Sequence, residues 1–155
     1  MNEKSESKHA LLSIKVIVCS LLFVPIWFFL YAFLHEAGHA LVGLAYGGSI
    51  VNFVFWNFNA HVVINGAEYT AFGLALFHVA GLLLPILVYI LALCFYNPKR
   101  KPVLYHICYI IATVSLIWSL ASWVVMSFMS IFTILPGEDV WKFIDSTGFH
   151  PLLVT

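Results

Sequence analysis

Residues 33–48 read Phe33-Leu34-His35-Glu36-Ala37-Gly38-His39-Ala40-Leu41-Val42-Gly43-Leu44-Ala45-Tyr46-Gly47-Gly48. This is a helix-forming run that carries the spacing H-E-x-x-H and meets a helix stop at its paired glycines. On a helix of 3.6 residues per turn, His35 and His39 project from nearly the same face, one turn apart. Two imidazoles so placed can each give one nitrogen to a single tetrahedral Zn2+. Glu36 is then left to act as general base on the metal's water.

The setting of this stretch decides the fold class. Of the 155 residues, 63% are hydrophobic and only 9% charged, against about 25% charged in an average globular chain. Apolar runs of membrane-spanning length recur, so the bilayer is the expected solvent. Ionisable side chains are costly there and are functional by default. A net charge of zero says nothing about nucleic acid, but there is no basic stripe to bind it. Cys19, Cys94 and Cys108 all lie in apolar runs without C-x-x-C spacing and read as small buried hydrophobes.

Working outward, residues 1–9 form a short polar tail expected to be disordered, and residues 10–155 form a single transmembrane domain. A first helix is expected from Leu11 to Tyr46. At 1.5 Å per residue it is roughly 54 Å long, well beyond a hydrocarbon core of about 30 Å. It therefore tilts and protrudes, or is kinked or split at Pro25. Residues 49–68 alternate aromatic and β-branched residues with Asn and end at Asn65-Gly66, which predicts a β-hairpin or re-entrant segment. Further apolar helices are expected over 69–96 and from Val103 to Ile134. The loop Asn97-Pro98-Lys99-Arg100-Lys101-Pro102 separates them, and Leu135-Pro136-Gly137 ends the second. An amphipathic segment, 138–148, follows. The fold class is thus an all-α membrane protein of about three transmembrane helices, with a short β-segment between helices one and two. Lys4, Lys8, Lys15 and Lys99–Lys101 belong on the cytoplasmic side by the positive-inside rule. That puts His35, His39, Glu138 and Asp139 together near the opposite face.

Two histidines leave a catalytic zinc one protein ligand short of the usual three. Outside the N-terminal tail and Glu36, the acids are Glu68, Glu138, Asp139 and Asp145. Asp139 follows a helix break where a short carboxylate can turn inward, and is the leading candidate. Glu138, Glu68, His61 and His78 remain open as alternatives. His78, mid-span, is also a candidate for holding a metal ligand in place, as is Glu138. The plainer readings are histidines hydrogen-bonded within a helix bundle, Glu36 paired with Lys142, and Glu138 and Asp139 as first-turn acids favoured by the helix dipole.

The order of these features resembles the site-2 protease family of intramembrane zinc metalloproteases. The resemblance runs over roughly residues 30–142: Phe33 to Leu41, then Gly47-Gly48 and a hairpin, Ala80-Gly81 in the next helix, and Leu135-Pro136-Gly137-Glu138-Asp139 after a third. Leu82 and Pro85 stand where the family's A-G-P-x-x-N pattern has proline and asparagine, and Val140 follows Asp139 where glycine is usual. The resemblance implies Zn2+ held by His35, His39 and Asp139, with Glu36 as catalytic base. It further implies a zinc-dependent intramembrane endopeptidase acting on transmembrane or membrane-associated protein substrates. The alternative within the same fold is a proteolytically inactive zinc-binding protein with a regulatory or transport-associated role. A metal-free helical bundle partner is a third possibility. The expected location is multi-pass in a prokaryotic cell membrane.

Overall fold

The structure, a computed structural model, describes residues 3–57 and 59–155, with side chains from Leu11 onward apart from Phe58. The chain forms α1 (Glu3–Ala45), a hairpin of β1 (Ser49–Val54) and β2 (His61–Asn65), then α2 (Ala71–Cys94), α3 (Val103–Met129) and α4 (Asp139–Thr147). A 3-10 turn, Pro151–Leu153, ends the described elements. Three of the helices are long and apolar enough to cross a membrane: Leu11–Ala45 within α1, α2 and α3. Their outward surfaces are apolar, with Leu21 70% and Trp118 75% exposed, as a lipid-facing surface requires.

Of the two forms expected for α1, the structure has the undivided one: a continuous helix through Pro25, not two segments. Proline removes a single backbone hydrogen bond, a loss that membrane helices tolerate without breaking. In the polar N-terminal tail, Met1 and Asn2 lie outside the described residues, as do the side chains of Lys4 and Lys8, while the backbone from Glu3 is already helical. The C-terminus closes as a Schellman motif: Gly48 N–H donates to Gly43 O and Gly47 N–H to Leu44 O. Gly47 holds φ +81°, a conformation open mainly to glycine.

The hairpin is antiparallel, with Val51 as an extra residue between the Ile50–Ile64 and Asn52–Val63 pairs. This bulge interrupts the simple alternation expected of the strand. The hairpin sits on α1: Phe33 packs edge-on against Phe53 and Phe55, and Ile64 fills the space beside Gly43, where an added Cβ would lie 2.7 Å from it. α1 and α2 meet almost backbone to backbone, because a Cβ at Gly38 would collide with the Ala80 carbonyl. Many of the buried apolar residues are alanines (Ala32 and Ala40 of α1, Ala75 and Ala80 of α2, Ala112 of α3), as lipid-embedded helix interfaces favour.

α3 ends at Met129, five residues before the expected Ile134. Ser130 Oγ donates to Ser127 O, and the backbone turns through residues 131–133. Such local side-chain bonding competes with the helical ladder. The chain then doubles back through Leu135-Pro136-Gly137, with Gly137 at φ +113°. It enters α4, whose Val140 and Ile144 are buried one turn apart. α4 packs on α2 and touches α3, which returns Asp139 to the mouth of α1. The three cysteines are free thiols.

Candidate metal centre

His35 and His39 emerge from the last turns of α1, and Asp139 from the first residue of α4, a hundred residues later. Their donor atoms converge. Nε2 of His35 and Nε2 of His39 each lie 3.0 Å from the same carboxylate oxygen, Oδ2 of Asp139. The two nitrogens are 3.2 Å apart. Donors held about 2.0–2.1 Å from a tetrahedral metal stand about 3.3 Å from one another, close to the edges of this triangle. Among the described residues this is the group of three His, Cys, Asp or Glu side chains spaced to hold a metal ion.

The hydrogen-bond chemistry requires a proton or a metal ion between His39 and Asp139. His39 Nδ1 lies 2.6 Å from the carbonyl oxygen of Phe77. A carbonyl only accepts, so Nδ1 carries the proton and donates it. In the neutral ring Nε2 then presents a lone pair to Asp139 Oδ2, itself an acceptor. A proton on either group, or a metal ion between them, reconciles the two. The Phe77 contact also fixes the ring tautomer and orientation, as backbone partners do for metal-bound histidines. Burial alone would raise the Asp139 carboxyl. With the imidazoles protonated, the hydrogen bonds from His35 and His39 outweigh it and hold the group well below the ordinary carboxylate range, so it stays an anion.

α2 crosses directly in front of the two imidazoles. A Cβ built on Gly81 would stand 2.5 Å from His39 Nε2 and 2.7 Å from His35 Nε2. Glycine at this position leaves the donor nitrogens unobstructed. Glu36, only 6% exposed, points toward β2 beside the Val62 backbone amide. It lines a polar cavity of about 280 Å³ with His35, His39, Asp139, Lys142 and His61. Lys142 lies 4.0 Å from Asp139 Oδ1, so its ion-pair partner is Asp139, not Glu36.

The structure therefore brings His35, Glu36, His39 and Asp139 into one site and sorts the alternatives. His61 lines the cavity with both ring nitrogens engaged: Nδ1 donates to Asn59 O, and Nε2 accepts from Asn52. His78 is buried next to Phe77, within electrostatic range of Asp139 and His39, and lies outside the cavity lining. Its Nδ1 has no hydrogen-bond partner among the described residues. Glu138 occupies the N-cap position of α4, exposed and making no capping bond. Glu68 lies on the link to α2, where its backbone N–H donates to Tyr46 O. Reading residue types missed the Phe77 carbonyl, the site-facing position of Gly81, and Lys142 as a wall of the cavity. The one signal was the Ala80-Gly81 pair, legible as a place of close approach.

Comparisons of the chain with known protein families, with curated protein sequences and with solved structures find no match.

Proposed function

We propose that this chain is a zinc-dependent intramembrane endopeptidase similar to the site-2 proteases. The observation that carries the reading is the convergence of His35 Nε2, His39 Nε2 and Asp139 Oδ2, with the buried Glu36 carboxylate on the same cavity. Two imidazoles and one carboxylate are a catalytic zinc donor set that leaves a coordination position open. Bound there, Zn2+ would supply Lewis acidity, polarising a peptide carbonyl and acidifying water.

The chain's own residues supply the rest of the chemistry. Glu36 takes a proton from the attacking water and delivers it to the leaving amide nitrogen. The new C–O bond and the broken C–N bond are thereby balanced by one proton relay. Burial of Glu36 against β2 keeps bulk water from competing for that proton. Ala60, His61 and Val62 at the start of β2 form one wall of the cavity, so an extended substrate segment can add along this strand and pass Glu36. The lipid-facing helices favour a substrate that is itself a membrane-spanning segment, unwound at the cleaved bond. A multi-pass location in a prokaryotic cell membrane belongs to the same proposal.

The test is cleavage of a labelled single-span protein by the chain reconstituted in lipid, wild type beside Glu36→Gln. Turnover abolished by the substitution, with metal content unchanged, supports the peptidase. Equal cleavage by both refutes it. Stoichiometric zinc with no Glu36-dependent turnover favours the inactive, regulatory metal-binding alternative. The same donor set also suits Fe2+, so the metal is identified in the same preparation.

A further inference from the structure

The chain has seven Lys and Arg residues. Six of them, Lys4, Lys8, Lys15, Lys99, Arg100 and Lys101, belong to the N-terminal stretch or to the α2–α3 loop. The seventh, Lys142, stands in the wall of the candidate site. α4 is short and amphipathic, and its Val140 and Ile144 are buried. That anchoring turns Asp139 and Lys142, one helical turn apart, toward the cavity. The Nζ–Oδ1 separation of 4.0 Å is too long for a hydrogen bond, so this contact with Asp139 takes up none of the three ammonium donors. The other cationic candidate on the wall, His61, has both nitrogens bonded within the hairpin. Glu36 and Asp139 carry carboxyl groups, which offer no cation, and the Val62 amide already faces Glu36.

We infer that Lys142 supplies the positive charge that faces the substrate's carbonyl oxygen as negative charge builds on it. This inference rests on the peptidase reading above. Hydrolysis drives electron density from the breaking C=O π bond onto that oxygen. A preorganised donor aimed at it is worth about 10²–10³-fold in kcat in enzymes where one has been removed. An ammonium on the wall of the cavity that the buried base also lines has the charge and the free donors for this. The rival role, holding Asp139 for the metal, makes a different prediction.

The experiment uses the full chain with Co2+ in place of zinc, so that ligand binding is read from the visible spectrum. The probes are dimethylphosphinate, a tetrahedral monoanion, and dimethyl sulfone, its neutral counterpart of the same shape. Wild type is expected to prefer the anion by about tenfold or more. Lys142→Met is expected to lower that preference about tenfold, leaving the part that Co2+ itself supplies, Lys142→Arg to keep it, and both to bind metal within about threefold of wild type. With a cleaved substrate in hand, Lys142→Met lowers kcat about 10²–10³-fold and leaves KM nearly unchanged. The proposal is overturned if Lys142→Met keeps the wild-type anion preference. It is also overturned if the variant loses metal affinity more than about tenfold while its metal-loaded fraction keeps the preference, because Lys142 then only positions Asp139. A chain that binds no metal, or cleaves independently of Glu36, sinks the peptidase reading and this role with it. An unchanged Lys142→Met in a Glu36-dependent enzyme sinks this role alone.

Discussion

Replacing Gly81 with alanine adds one methyl group at the most crowded point of the site. The new Cβ would lie 2.5 Å from His39 Nε2, 2.6 Å from His35 Cε1 and 2.7 Å from His35 Nε2. Carbon and nitrogen at ordinary contact are about 3.5 Å apart, so the methyl is roughly 1 Å too close to both rings. α2 cannot simply retreat, because its Ala80 carbonyl is packed on Gly38 of α1, and moving it would open that crossing. The imidazoles must turn away, and the donor triangle opens. Overpacking of this kind costs about 1–3 kcal/mol. If the strain falls on the metal-binding geometry, zinc Kd rises about 5- to 150-fold. The assay is zinc competition against a chromophoric chelator on purified protein. Gly73→Ala is the control, since its Cβ would strike the Tyr46 ring, crowding the same helix away from the site. Gly73→Ala is expected to lower thermal stability and leave zinc affinity unchanged. Gly81→Ala binding zinc as tightly as wild type, while folded, would refute the geometry.

Three further outcomes follow from the same contacts. Zinc affinity falls as pH is lowered, because protons compete with the metal for the two imidazole nitrogens. Asp139, held below the ordinary carboxylate range, stays ionised and adds no third proton to that competition. A titration of zinc affinity between about pH 6 and 5, below the range in which zinc-bound water ionises, should therefore show at most two protons displaced per metal, and a third would contradict the assignment of Asp139. Ile144→Ala removes the buried anchor of α4 and should cost about 2–5 kcal/mol of stability, with added zinc restoring part of the lost melting temperature; a thermal melt with and without zinc checks this. Gly137→Ala forces a β-carbon onto φ +113° at a cost of about 1–3 kcal/mol, and should weaken zinc binding by moving Asp139, as measured in the same chelator assay.

Much of the fold is legible in the residue order. The three long apolar runs, the Asn- and Gly-punctuated hairpin and the Leu135-Pro136-Gly137 break each state their local structure through well-understood preferences. The metal-binding spacing is legible for a similar reason: His35 and His39 share a face by helix geometry alone. Asp139 could be favoured from its place at a helix break, but its convergence on Nε2 of both histidines depends on α4 folding back over α2, which no local pattern specifies. Other features are hidden from residue types altogether. The Phe77 carbonyl that orients His39 is backbone, available at every position. Gly81 acts by what it lacks, and its role shows only once α1 and α2 are seen in contact. Pro25 suggests a break, yet α1 continues because the neighbouring turns retain their hydrogen bonds. The early end of α3, where Ser130 Oγ bonds the Ser127 carbonyl, is concealed by the hydropathy of residues 130–134.

The central claim is that His35, His39 and Asp139 hold one metal ion. Its most direct test is the metal content of the purified, lipid-reconstituted chain after zinc loading and exhaustive dialysis, wild type beside Asp139→Ala. One zinc per wild-type chain, largely lost from a folded Asp139→Ala variant, is the predicted result. A wild-type chain that retains no metal, or a variant that retains as much as wild type, would contradict it.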